Sequence, residues 1–327
     1  MLRGIYLLDN FDLIYGSAYK EINNQVHIYA EPQTKISIKE NPSILSAADI
    51  ILSGWGCPVM DQSFLELSPN LKAVFYGAGS IKNIVTDEFW DKNIVITSAY
   101  EANAVPVVEY TLSQILFSLK RGWYFFQQVK KKASFPAREN VPGAYGSTVG
   151  LVSLGMIGRK VAEMLKQFDC KVIAYDPLVS EMEEKALNVE MCSLEDVFRR
   201  ADVVSLHTPW IKETEGLITG SHISSMKPNA TLINTARGAV IREQEMIETL
   251  QQRQDLYAIL DVTYPEPPVK DSPLYFLENV ILTPHIAGSM SAECQRMGKY
   301  MAQELGRYLR GEPLKWNITK EESIIMA

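Results

Sequence analysis

Short apolar runs alternate with stretches of helical spacing along almost the whole chain, and they do so in two series. The first comprises GIYLL, QVHIYA, ADIILSG, LKAVFYG and NIVITSA, all before residue 100. The second comprises TVGLVSLG, KVIAYDP, ADVVSLHTP, ATLINTAR, LYAILDV and NVILTPH. Runs this short and this apolar suit strands buried on both faces, and strands separated by helices make parallel sheets with helices on either side. The expected fold class is therefore α/β, with two doubly wound parallel sheets. A length of 327 residues suits two domains, and 46% hydrophobic residues can fill their cores.

One stretch breaks the rhythm. From Asn103 to about Lys131 apolar residues recur at helical spacing for more than six turns, ending in Lys130, Lys131 and Lys132, which suit a helix C-terminus. Pro106 suits its first turn. This single long helix is expected to cross between domains, and the loop ASFPARENVPGAYGS follows it. A second helix is expected from about Ser289 to Arg310, with Gly311 as its stop, carrying the chain back to the first domain. The expected domains are discontinuous: 1–101 with 292–327 for the substrate, and 102–291 for the cofactor.

Composition removes several classes of function. A net charge of −7 and a pI near 5.3 argue against a nucleic-acid binder, which needs a basic face. The four cysteines, Cys57, Cys170, Cys192 and Cys294, form no CxxC pair, so neither a metal site nor a disulfide framework is expected, and a reducing cytoplasm fits. The opening MLRGIYLLDNFD reads as a strand and turn, not a signal peptide. No apolar run approaches the ~18 residues that span a bilayer.

The second series opens with TVGLVSLGMIGRKVA, a strand, a glycine turn and a helix. The dinucleotide fingerprint G-x-G-x-x-G assigns one glycine to the tight turn, one to close approach of pyrophosphate and one to helix–strand packing. Gly155 and Gly158 hold the last two positions, with Met156 and Ile157 between them, and Ser153 stands in the first. Serine fits there if its backbone stays at negative φ. Asp176 ends the next strand, 21 positions after Gly155, where an acid meets adenosine ribose hydroxyls. The same carboxylate would repel a 2′-phosphate, so NAD is expected rather than NADP.

Ligands of doubly wound sheets bind beyond the carboxyl ends of the strands, so chemistry-bearing residues at those ends rank highest. Of the four histidines, His27 lies inside a strand run and reads as structural, while His222 lies in a polar turn and reads as solvated. His207 and His285 end strands. Arg237 follows LINTA, and Asp261 and Glu266 follow another strand. Glu266 can hold the imidazole of His285 and favour its charged, proton-giving form. Arg237 can clamp a carboxylate with two parallel hydrogen bonds.

The order and spacing of these pieces resemble a known family. ADVVSLHTP, MKPNATLINTARGAVI, LDVTYPEPP and ILTPHIAGSM are similar to segments of the D-isomer-specific 2-hydroxyacid dehydrogenases, a group that includes glyoxylate/hydroxypyruvate reductases and phosphoglycerate dehydrogenases. GWGCP and YGAGS fit that family's substrate domain, and NAVPVVEYTL its crossing helix. The resemblance implies Rossmann-like and flavodoxin-like domains with a cleft between them, and NAD-dependent exchange of a hydride between a 2-keto acid and a D-2-hydroxy acid. Arg237 would bind and polarise the substrate, His285 would be the acid/base and Glu266 its partner. Cofactor contacts would come from Gly155, Met156, Ile157, Gly158, Asp176, His207, Thr208, Thr235, Ala236, Arg237, Asp261, His285 and Gly288, with Asp261 facing the nicotinamide amide. Backbone N–H groups of Ala78, Gly79 and Ser80 would hold the substrate carboxylate. Ile81-Lys82 replaces an Asp-Asn pair common in the family, which bears on the substrate side chain. Neither nucleic acid nor membrane is an expected partner. A homodimer is expected through the Asn103–Lys131 helix, with its run Trp123-Tyr124-Phe125-Phe126, and the loop that follows. The alternative is an NAD(H)-sensing scaffold of the corepressor kind on the same fold, acting through protein partners; the chain lacks the long disordered tails or docking segment that would favour it.

Overall fold

The computed structural model describes residues 1–326, so the last residue of the expected 292–327 segment lies outside the described residues. The chain divides into two compact units, Met1–Val105 with Ser289–Met326, and Pro106–Gly288. The middle unit is thus a few residues shorter at each end than the sequence pattern suggests.

The first unit is built on five parallel strands: β1 (Arg3–Leu7), β2 (His27–Ile28), β3 (Ile50–Ser53), β4 (Ala73–Tyr76) and β5 (Val95–Ser98). Their order is β2-β1-β3-β4-β5. Side chains alternate across a strand, and the core follows that period of two. Ile5 and Leu7 join Ile51, Val74, Tyr76 and Ile96 on one face, while Tyr6 and Leu8 join Ile50, Leu52, Ala73 and Phe75 on the other. Near the chain's end, Asn317 pairs antiparallel with Thr97, so residues 316–318 extend this sheet beyond β5.

The second unit has seven parallel strands: β6 (Thr148–Val152), β7 (Lys171–Tyr175), β8 (Glu190–Met191), β9 (Val203–Leu206), β10 (Thr231–Asn234), β11 (Tyr257–Leu260) and β12 (Val280–Leu282). The order β12-β11-β10-β9-β6-β7-β8 reverses between β6 and β9. Again each strand feeds two layers: Leu232, Ala258 and Leu260 on one side, Ile233 and Ile259 on the other. Truncating a large side chain of such a layer, Phe198 for example, costs about 3–5 kcal/mol.

The expected single crossing helix is two helices, Tyr100–Leu119 and Gly122–Lys132. The break falls at Arg121, whose φ of 51° lies in the left-handed region, and the Leu119 carbonyl is closed off by the Gly143 N–H. The first helix starts at Tyr100, so Pro106 sits inside it and not in its opening turn. Two histidines also differ from expectation. His27 is exposed, because β2 is an edge strand of two residues. His222 is not solvated: its Nδ1 accepts from the Thr219 N–H in a capping box, and its ring lies against Phe198.

Candidate active site

Parallel strands put all their carboxyl ends on one edge, and strand order then sets the sequence of residues along it. In the seven-stranded sheet that edge reads Thr283 and His285 after β12, Asp261 after β11, Thr235 to Arg237 after β10, and His207 after β9. Ser153 to Gly158 follow β6, and Asp176 follows β7. The glycine turn and His207 flank the point where the strand order reverses, which is where ligands of this architecture bind.

The turn after β6 departs from expectation at Ser153. Its φ is 75°, a left-handed conformation that suits glycine and strains serine. Its hydroxyl is not idle: it donates to Thr208 Oγ1 at 3.0 Å, and Thr208 in turn donates to the Val152 carbonyl at 3.3 Å. The two hydroxyls therefore tie the end of β6 to the end of β9. Gly158 is required here, since a Cβ on it would lie 2.2 Å from the Ser153 carbonyl oxygen.

The residues present fit a dinucleotide. The helix Met156–Leu165 starts at Gly155 with no side-chain cap, and nothing lies within 4 Å of the place a Gly155 Cβ would occupy. Its opening N–H groups, including those of Ile157 and Gly158, thus stay available to an anion. His207 is buried beside this turn, and its Nε2 has no partner among the described residues; burial pushes its pKa down to about 4. Asp176 accepts from the Leu154 N–H at 2.7 Å and the Leu178 N–H at 2.8 Å, so it braces the turn as well as standing where a ribose acceptor is expected. Two oxygens with four acceptor sites retain room for hydroxyls.

At the other end of the edge, His285 Nδ1 lies 2.6 Å from Glu266 Oε1, both side chains half-exposed. His285 has a φ of 54°, and its N–H donates to the Asp261 carbonyl. The buried Asp261 carboxylate holds the loop just beyond: Oδ1 accepts from Ile286 N–H at 2.9 Å and Oδ2 from Ala287 N–H at 2.8 Å, before Gly288 leaves the unit. Arg237 has its Nη1 on the Ala236 carbonyl at 2.6 Å and no carboxylate bonded to it among the described residues. Burial lowers its pKa from the ordinary value, and the nearby charge of Glu266 counters that. The Asn234 side chain frames the turn, accepting from Ala236 N–H and donating to the Arg237 carbonyl. Gly238 lets this turn press on the neighbouring loop, because a Cβ there would lie 2.0 Å from the Thr263 carbonyl carbon.

The other expected contacts belong to the first unit. Ala78, Gly79 and Ser80 follow β4, with the carbonyls of Ala78 and Gly79 both accepting from Ser98 Oγ. No acceptor among the described residues is bonded to the three N–H groups. Ile81, which stands in the departure from the family pattern, is fully buried in the core. Among the described residues no cluster of His, Cys, Asp or Glu could hold a metal, and no helix is long and apolar enough to cross a membrane.

Three residues of the site gave no signal of their own in the sequence. Thr283, Tyr110 and Asn234 bond the groups above, and only their polar character at strand ends or on the crossing helix hints at it.

Comparison with known proteins finds matches to both units. The model of the D-isomer specific 2-hydroxyacid dehydrogenase NAD-binding domain matches residues 112–287. A D-3-phosphoglycerate dehydrogenase of Methanocaldococcus jannaschii is 30% identical over 86% of this chain and 54% of its own length. The chain therefore spans about half the length of the phosphoglycerate dehydrogenases it matches. A glyoxylate reductase of Korarchaeum cryptofilum is 30% identical over 90% of this chain and 88% of its own. Among solved structures, a D-lactate dehydrogenase of Aquifex aeolicus complexed with NAD and lactic acid aligns with a TM-score of 0.72 at 26% identity, covering 94% of this chain and 96% of its own.

Proposed function

This chain belongs to the D-isomer specific 2-hydroxyacid dehydrogenase family, with an NAD-binding domain in its middle unit, and on that premise we propose an NAD-dependent oxidoreductase that interconverts a 2-keto acid and a D-2-hydroxy acid. The observation that carries the reading is the contact of His285 Nδ1 with Glu266 Oε1 at 2.6 Å. A carboxylate only accepts, so the proton on Nδ1 points at Glu266 and Nε2 is left to exchange a proton with substrate.

In the direction of reduction His285 gives that proton to the carbonyl oxygen, while Glu266 fixes the ring and offsets its charge. Arg237 binds the substrate carboxylate and polarises the carbonyl; its burial strengthens both interactions. In the first unit, we assign the N–H groups of Ala78, Gly79 and Ser80 to substrate as an anion-holding turn. Bound NADH supplies the hydride. Gly155 to Gly158, Asp176, His207, Thr208, Thr235, Ala236, Asp261 and Gly288 are the residues we assign to holding it.

The helix pair leaves Phe117 and Phe126 exposed, with Phe135 and Tyr145 exposed on the segment that follows, and a second copy of the chain is the proposed cover. Static light scattering at micromolar concentration should return twice the monomer mass. Four cysteines without a disulfide suit a reducing, cytoplasmic setting.

The activity is tested by following NADH absorbance with a panel of 2-keto acids of graded side-chain size. Turnover of at least one is expected. Tight NADH binding with no turnover across the panel would replace the enzyme by the dinucleotide-sensing scaffold.

A further inference from the structure

The loop that carries His285 is held from behind by a chain of hydroxyls that reaches the crossing helix. Thr283 Oγ1 donates to Asp261 Oδ1 at 2.6 Å, and Tyr110 Oη lies 2.9 Å from the same Thr283 oxygen. Thr283 has one hydroxyl proton, and the carboxylate takes it, so the Tyr110 hydroxyl must be the donor to Thr283. The chain therefore runs Tyr110 to Thr283 to Asp261 with every proton pointing at the carboxylate, the arrangement in which each bond strengthens the next. Asp261 passes the constraint on through the Ile286 and Ala287 N–H groups, one and two residues beyond His285.

Tyr110 stands on a support that is itself fixed. The next residue, Thr111, is fully buried and shares a hydrogen bond of 2.9 Å with Thr235, two residues before Arg237. One turn of the 100–119 helix thus anchors the loop of His285 through Tyr110 and the turn of Arg237 through Thr111. The loop needs an external anchor, because His285 has a left-handed φ of 54° and its side chain is half-exposed, with Glu266 its one bonded partner among the described residues.

We propose that Tyr110 is a positioning residue for His285, acting through Thr283 and Asp261; its effect on turnover rests on the reading of His285 as the acid/base. The Tyr110 hydroxyl locks Thr283, Thr283 locks the Asp261 carboxylate, and the carboxylate fixes the backbone that aims the imidazole. Small displacements at a reacting group cost rate far more than they cost binding.

The test uses Tyr110→Phe, Thr283→Val, their double variant and Thr283→Ser, each in the full chain. Residue-resolved amide hydrogen exchange should show Ile286 and Ala287 exchanging about tenfold faster in the first three and near wild type in Thr283→Ser, which keeps the hydroxyl. With a keto acid that turns over, kcat should fall about fivefold in Tyr110→Phe while KM for the keto acid stays within about twofold. The double variant should be no worse than Thr283→Val alone, since both changes cut one chain. Unchanged exchange at Ile286 and Ala287, or an unchanged kcat, in Tyr110→Phe overturns the proposal. If no keto acid turns over in the wild type, the functional reading fails, and the exchange experiment still decides the positioning role.

Discussion

The carbonyl oxygen of Ser153 occupies the space a Cβ on Gly158 would need, 2.2 Å from it. The glycine of the helix and the serine of the turn are therefore one unit, and the two positions respond differently to substitution. Gly158→Ala must push the Ser153 backbone aside, so NADH affinity should fall at least about tenfold, with a stability loss of about 2 kcal/mol. Ser153→Gly relieves a φ of 75° and gives up the hydroxyl bond to Thr208, leaving a net gain within about 1 kcal/mol and NADH affinity within about threefold. Isothermal titration with NADH and denaturant unfolding of both variants measure these effects. An affinity unchanged in Gly158→Ala would mean that the turn yields without cost.

Burial of His207 makes stability depend on pH. Its pKa falls from the ordinary 6.5 to about 4 in the folded protein, so the unfolded chain binds the proton first as pH drops. The contribution of neutral His207 is fully present above about pH 6.5 and is lost progressively down to about pH 4, on the order of 3 kcal/mol in all. Urea unfolding at several pH values should show that slope, and His207→Leu should flatten it. An equal slope in the variant would assign the acid sensitivity to other groups.

Much of this arrangement is legible in the sequence, for a physical reason. Strands buried on both faces must be continuous apolar runs, and the residue that ends each run then lies on the ligand-binding edge. That is how His285, His207 and Asp176 stand out, while Arg237 and Glu266 are singled out by the order and spacing that resemble the family. What sequence spacing does not carry is backbone conformation and side-chain hydrogen bonding across elements. Ser153 is compatible with negative φ on size alone, yet its φ is 75° and its carbonyl oxygen fills the space a Gly158 Cβ would take. The helical period runs unbroken through Lys120-Arg121, so the left-handed Arg121 that divides the helix leaves no trace in it. The polar neighbours of His222 suggest a solvated ring, but Thr219 among them is its capping partner.

Asp176 should set the choice of cofactor. Asp176→Asn removes the charge that repels a 2′-phosphate and keeps one of the two oxygens, which accept separately from the Leu154 and Leu178 N–H groups. The ratio of kcat/KM for NADPH to that for NADH should rise by about tenfold, worth about 1.4 kcal/mol of discrimination. A ratio unmoved by the substitution would place the cofactor's ribose elsewhere.

Arg237→Lys separates charge from geometry. Lysine keeps the charge and loses the planar fork that holds a carboxylate by two bonds, so KM should rise and kcat fall together, each by about tenfold or more. Loss confined to KM would make Arg237 a binding group alone.

In the proposed reaction the imidazole held 2.6 Å from Glu266 moves the proton of a keto-acid reduction. His285→Ala tests it directly, with turnover and NADH binding measured on the same preparation. Keto-acid reduction should fall by at least about a thousandfold while the NADH dissociation constant stays within about twofold, because the proton donor is gone and the cofactor turn is untouched. Reduction at the wild-type rate in His285→Ala would contradict the assignment.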